Sequence, residues 1–479
     1  MMRSITRPAP RTAGRLPTTG LLLAVCWLAT GCRQPTTPTV AVAPPALKGT
    51  TVEVCAPPSL RLSQKWSIQI DEWQAATGAV CRVNEEGLDG PLPPASAALA
   101  VVPLAQLPRL VDANWPAPID NAGAATDWEE TLRGLRNGIA QPGGQRLLIP
   151  VACPVLACYY RADLLEAAGR QPPVTWEQYQ ALLASLAEWS GGLPAFEPWS
   201  AEFRSTMLLG RAAGYALHPD NVSILLDLQD ASPLVNGPPF VQALEDSRTA
   251  LAVLDSQSLQ MSPQECCRAV LEGRAALAIG LPPQLDEPIA PRSDAMAVVG
   301  TSKLPGASRI YDRSAGAWTA VPAGTAARVT VVGFEGFAVC ASATVDAAQR
   351  DAAWEFWASM RRNTTEDDVP FGPAICRSVD LPAAMRKAAP GFTSPEWRRH
   401  LETTVAVLLE TRVLFDLPLP EASRFREKLT AHVTDAIEDR TPAAAALQQA
   451  ATEWNSLIDE IGRERILSVY RRCHGLSAK

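Results

Sequence analysis

Residues able to do chemistry are spread through this chain without the spacings that bond-breaking sites need. His218, His400, His432 and His474 are scattered, so no His/His or His/Cys pair has the separation of metal ligands. The motifs G-x-S-x-G, H-E-x-x-H, G-x-x-x-x-G-K-[ST] and G-x-G-x-x-G are absent, which removes the simplest support for hydrolase, metalloprotease and nucleotide chemistry. Neighbouring acids at Glu85-Glu86 and Glu366-Asp367-Asp368 sit among polar residues, as solvated loops do, although a glycosidase pair needs no local motif. Of thirteen tryptophans, Trp66, Trp73, Trp128, Trp176, Trp354, Trp357 and Trp454 fall in helical patterns or near caps, where packing explains them. Trp199, in Glu197-Pro198-Trp199-Ser200, and Trp318, after Gly316, lie in loops, where rigid scaffolds present binding groups. Glu197 and Arg204 offer bidentate hydrogen bonds, with a surface salt bridge as the equal alternative for each. Tyr159 and Tyr160 alternate faces if they lie on a strand, so at most one looks outward.

The elements that must hold these groups alternate. Thr51 to Cys55 is a β-rich run, Leu62, Trp66, Ile70 and Trp73 have helical spacing, Gly78 marks a helix stop, and Ala79 to Val83 is a second strand. Ala97 to Val102 predicts a buried strand and Gln106 to Val111 a short helix. Capping boxes predict helix starts at Thr126-Asp127-Trp128-Glu129 and Thr175-Trp176-Glu177-Gln178. Arg146 to Val155 and Leu156 to Tyr160 read as strands crossing toward a second body. The last long helix starts at Thr441-Pro442 and buries Leu447, Ala451, Trp454, Leu457, Ile458 and Ile461. This order predicts an α/β protein with two lobes. The 479 residues, 47% hydrophobic and 19% charged, suffice for two large cores. A net charge of -7, more negative still without the first four arginines, disfavours a nucleic-acid partner.

Arg3, Arg7, Arg11 and Arg15 precede the apolar run Leu21 to Ala29, the pattern of an export signal. Nine apolar residues span about 13 Å as a helix, too short for a bilayer core. Leu28-Ala29-Thr30-Gly31-Cys32 resembles a bacterial lipobox, which makes residues 1–31 a signal peptide, Cys32 the lipidated N-terminus and 32–50 a Pro/Thr-rich tether. Removal of Cys26 and acylation of Cys32 leave nine cysteines, so at least one is unpaired or intermolecular. Cys55 and Cys81 lie on adjacent predicted strands, as small buried residues or as a disulfide.

Several segments, in order, resemble the bacterial ABC-transporter extracellular solute-binding proteins of family 1, the group that includes maltose-type sugar binders. They are Asp71 to Gly78, Leu148 to Val151, Ala157 to Leu165, Thr175-Trp176-Glu177, Leu271 to Gly280, Ala353 to Trp357 and Ala451 to Trp454. The resemblance implies a two-lobed periplasmic-binding-protein-like fold (type II), with a hinge and an interlobe cleft. Residues 51–152 plus 275–332 would form lobe I, and 153–274 plus 333–479 lobe II. It implies a monomeric envelope receptor, held to the membrane by its lipid, that delivers a carbohydrate to an ABC permease without cofactor, metal or catalysis. A receptor for a polyamine or another small molecule is the alternative, and a lipid-anchored glycosidase a more distant one. Glu335, in Gly333-Phe334-Glu335-Gly336, falls where the family often carries a Gly-Gly-Trp-Gly turn, and Leu281-Pro282 stands where it often has a second Trp. Trp199, Trp318, Glu197, Arg204, Tyr159, Tyr160 and Glu335 are therefore the expected ligand-binding residues.

Overall fold

The computed structural model describes residues 47–85, 92–219, 221–284, 288–292, 296–363, 374–386, 388–410 and 412–478. The signal peptide, most of the tether and Cys32 lie outside them, as do Glu86 and the acids at 366–368. Residues 45–479 form one compact unit. Among the described residues, no helix is long and apolar enough to cross a membrane.

Thirteen strands are described: β1 (Thr51–Cys55), β2 (Val80–Asn84), β3 (Leu99–Pro103), β4 (Ile149–Ala152), β5 (Ala157–Arg161), β6 (Ala195–Phe196), β7 (Leu277–Gly280), β8 (Val299–Lys303), β9 (Arg309–Asp312), β10 (Ala317–Ala320), β11 (Thr330–Val332), β12 (Phe337–Ala341) and β13 (Val413–Phe415). The first sheet has the order β2-β1-β3-β12-β4 and the second β6-β7-β5-β8. β1 is parallel to β2 and β3, the arrangement that a strand, helix, strand unit produces. β12 enters antiparallel between β3 and β4. In the second sheet β5 is antiparallel to both β7 and β8, and β6 is parallel to β7. Two two-stranded pieces complete the set, the β9–β10 hairpin and the parallel pair β11–β13.

Each sheet organises its own apolar core. Val52, Val54 and the run Leu99 to Val102 pack with Trp66, Trp73, Trp354 and Trp357 around the first sheet. The second sheet is covered on both faces, because successive β5 side chains leave opposite sides. Cys158 and Tyr160 enter one core while Ala157 and Tyr159 enter the other. The lobes are therefore a sheet with packed helices and a three-layer α/β body.

Strand pairing corrects the expected partition of the chain. Residues 275–332 do not join 51–152: β7 and β8 hydrogen-bond to β5, in the second sheet. Nor does all of 333–479 join 153–274, since β12 lies inside the first sheet and the helix Ala347–Asn363 buries Trp354, Phe356 and Trp357 in the first core. Local patterns identify strands but not their partners across 200 residues. Crossings between the lobes occur where consecutive residues serve different cores: Val155 and Leu156, Val331 and Val332, Ile375 and Cys376, and Leu414 and Phe415.

Several local expectations match. Gly78 ends the helix Ser67–Thr77 in the left-handed conformation, φ 71°. Thr175 Oγ1 accepts from the Gln178 N–H at 3.3 Å, and the Gln178 side chain accepts from the Thr175 N–H. The last long helix is Ala443–Ile461, with Leu447, Trp454 and Ile458 buried. The helix expected to start at Thr126 instead runs Ala122–Glu130. Cys55 and Cys81 do not face each other, because the β1–β2 register pairs Cys55 with Asn84 and Cys81 with Val52. Three residues of offset amount to about 10 Å, beyond a disulfide's reach.

Candidate functional site

The two sheets turn equivalent ends toward the crossings. β1, β3 and β4 finish there and β12 begins there; β6, β7 and β8 finish there and β5 begins there. Crevices beside the carboxyl ends of strands are where open α/β sheets bind ligands. In the first sheet β2 and β3 flank β1 on opposite sides, so the chain switches direction after β1 and β3. The loops at these ends, after Cys55, Pro103, Phe196 and Gly280 and around Gly333 to Gly336, surround the candidate site.

Glu335 occupies that position. Gly333 and Gly336 bracket it with φ 93° and 102°, and a Cβ at either would lie 2.2 Å from Phe415 Cε2 or from the Ala152 carbonyl oxygen. Only glycine permits the turn and its close approach to β4 and β13. The Gln264 side-chain amide donates to both Glu335 carboxylate oxygens, at 3.2 and 3.0 Å. Burial raises the Glu335 pKa above the usual carboxylate value, the Gln264 bond opposes this, and the nearby Glu202 charge raises it further. Gln264 also lines an open surface recess together with Ser262, Glu265, Arg268 and Gln284. Ser262 and Glu265 form a capping box that starts the helix Pro263–Leu271, so the position of Gln264 follows from helix initiation.

The other expected site residues do not gather around Glu335. Trp199 is fully buried and donates from Nε1 to Glu197 Oε2 at 2.9 Å. Glu197 is fully buried too, paired with Arg211 at 2.5 Å, and the Arg211 guanidinium lies 4.4 Å from the Trp176 ring centre. Neither Trp199 nor Glu197 faces a cleft; they and Arg211 form a closed polar knot in the second lobe, because a buried charge needs its partner at contact distance. Arg204 donates to the Trp199 carbonyl and the Thr434 hydroxyl, and so braces two helices.

Trp318 packs against Tyr215, with ring centres 5.9 Å apart, and under the Arg309 guanidinium. Tyr215 ends the helix that Arg204 begins, about 16 Å away along its axis, so Trp318 stands apart from the strand ends. Tyr159 and Tyr160 are both interior. Tyr159 Oη lies 3.2 Å from His400 Nδ1, while the Tyr160 ring covers Gly300 of β8. No described tryptophan is exposed.

Sequence reasoning missed Gln264, Ser262 and Arg268. The available signal was the capping box Ser262-Pro263-Gln264-Glu265, which fixes a helix start. Among the described residues, no group of three or more His, Cys, Asp and Glu is arranged to hold a metal ion.

A two-lobed α/β body whose sheets meet at a crossing defines a class of binding protein. The chain belongs to the bacterial extracellular solute-binding protein family, whose model matches residues 89–366. No curated protein matches it by sequence. Among solved structures it is similar to the sugar-binding protein MalE of Xanthomonas citri, with 14% identity, 86% of this chain and 98% of that one covered, and a TM-score of 0.62. It is also similar to an ABC-transporter solute-binding protein of Agrobacterium radiobacter in complex with ribitol (16% identity, 86% and 99% covered, TM-score 0.57). A third is maltose-bound MalE3 of T. maritima (13% identity, 85% and 100% covered, TM-score 0.55). At these identities the likeness shows a shared fold.

Proposed function

We propose that the protein is the extracytoplasmic receptor of an ABC importer, that it binds a carbohydrate between its lobes, and that it hands the solute unchanged to the permease. The observation that carries this reading is the convergence of both sheets' strand ends on Glu335 and Gln264 in a chain of the solute-binding family. Of the described residues, lobe I comprises those in 51–152 and 337–363; lobe II comprises those in 157–303 with the helices Ala422–Ile437 and Ala443–Ile461, and the helix Ser394–Leu408 runs from the second lobe into the first core. Maltose and ribitol bound in two of the similar structures, and the sugar-binding role of the third, support the ligand class. Carboxylate and amide groups such as Glu335, Gln264 and Gln284 suit hydroxyls, each of which donates one bond and accepts others.

Closure of the lobes favours the bound state because only the closed form completes contacts from both sides. The envelope location and monomeric state belong to the same reading, as does anchoring through Cys32. A Cys32→Ser variant is expected to leave the membrane fraction.

A thermal-shift screen of sugars, polyols and polyamines on the chain lacking residues 1–31 tests the ligand class. A ligand at 100 times its Kd adds about 2.7 kcal/mol of stability. Failure of every sugar and polyol to raise Tm overturns the carbohydrate reading. Glu335 beside Glu202 favours one second reading, a cationic solute such as a polyamine. Glu335→Gln distinguishes the two: loss of a charge pair weakens a cation at least tenfold, whereas a hydroxyl retains an amide acceptor and loses only a few-fold.

A further inference from the structure

The helix that ends the described chain, Arg463–Cys473, is shared between the two cores. Ile466 and Tyr470, one turn apart, are fully buried in the core of the second lobe. Val469 and Cys473, the adjacent stripe, are buried in the core of the first. The polar contacts divide in the same way. Toward the second lobe, Tyr470 Oη lies 2.6 Å from Ser223 Oγ and accepts from the Leu225 and Leu226 N–H groups at 3.3 Å. On that side Arg471 and Arg463 also donate to the carbonyls of Leu228 and Asp230. Toward the first lobe, Arg465 pairs with Asp112 at 2.6 Å, and Arg472 donates to the Val111 carbonyl and to Asn114 Oδ1.

We propose that this helix is an interlobe clasp: it travels with the second lobe and grips the first at Val111 to Asn114, so it sets the resting angle between the lobes. The two holds differ in kind. Tyr470 bonds from a fully buried position, and the helix continues at Gly462 from Ala443–Ile461, which is packed in the second core. The grip on the first lobe leans on Arg465, whose side chain is 48% exposed, and water weakens such a pair. The crossings at Val155–Leu156, Val331–Val332 and Leu414–Phe415 are short extended segments, which leave rotation soft; a helix seated in both cores does not, and Ser394–Leu408, with Leu401 in the second lobe and Leu408 in the first core, is a second helix of that kind. The inference rests on the two cores and stands whatever the solute is.

The test uses the ligand-free full-length chain, in native-state hydrogen exchange and small-angle scattering. Asp112→Ala with Arg472→Ala is expected to quicken exchange in the crossings 153–156 and 330–336, which neither change touches, by about tenfold. The radius of gyration is expected to change, while Ile466 to Tyr470 stay protected. Tyr470→Phe, a milder change on the opposite side, is expected to quicken exchange within the helix itself. Wild-type exchange at the crossings together with a wild-type scattering curve in the double variant overturns the clasp. So does loss of protection along the whole helix in that variant, which would assign the helix to the first lobe.

Discussion

Arg211 follows Glu197 by fourteen residues and meets it inside the second lobe, where both side chains are fully buried. Removal of one member leaves the other charged and unpaired in the interior, which costs about 3–5 kcal/mol. Glu197→Gln is therefore expected to lower the urea midpoint sharply. Trp199→Phe, which removes the donor to Glu197, is expected to cost about 1–3 kcal/mol. A Trp199→Phe protein with an unchanged midpoint but weakened ligand binding would reinstate Trp199 as a contact surface. The loop position of Trp199 was legible in the sequence; its burial was not, because it depends on Arg211 arriving from another element.

His400 carries the clearest pH dependence. Burial lowers its pKa from 6.5 to about 4, between the rings of Trp397 and Tyr159. The unfolded chain takes up a proton below pH 6.5 that the folded one refuses, so stability present above pH 6.5 is lost as pH falls toward 4, by about 1.4 kcal/mol per pH unit. Urea midpoints measured from pH 7 to pH 4 are expected to fall less steeply in His400→Leu than in the wild type. Parallel profiles would show that another group titrates.

Among the elements, those spanning Thr51 to Val111 were legible because each announces itself locally. Alternation or a short apolar run marks a strand, a 3.6-residue stripe marks a helix, and Gly78 stops one. The partnership of β7 and β8 with β5, and the insertion of β12 into the first sheet, were not legible, since any of these short apolar runs satisfies either sheet. The Gly333–Gly336 turn lies between these cases: its glycines are visible in the sequence, but their reason is the contact each makes. Gly336→Ala would place a Cβ 2.2 Å from the Ala152 carbonyl oxygen at a positive φ, so β12 must shift against β4. Backbone strain of this kind costs of order 1–3 kcal/mol. The expected result is a lower melting temperature and weaker solute binding together, because Glu335 moves with the turn. Alanine at Gly192, where φ is 85° and nothing lies within 4 Å, supplies the comparison: it carries the conformational strain alone, with binding unchanged.

At the scale of the whole molecule, two sheets with separate cores meet through crossings only a few residues long and through two shared helices, Ser394–Leu408 and Arg463–Cys473. Cooperativity between the cores then depends on those crossings, on the two shared helices and on whatever fills the space between the lobes. Two-state unfolding holds for single cores and weakens when one chain carries two. Heating the ligand-free protein in a calorimeter is therefore expected to give an unfolding enthalpy from the heat absorbed that exceeds the value inferred from the sharpness of the transition. A saturating ligand that touches both lobes stabilises only the state in which both are folded. Its addition is expected to bring the two enthalpies together while raising Tm. A ligand that raised Tm but left them as unequal as before would be held by one lobe alone, and closure over the solute would lose its energetic basis.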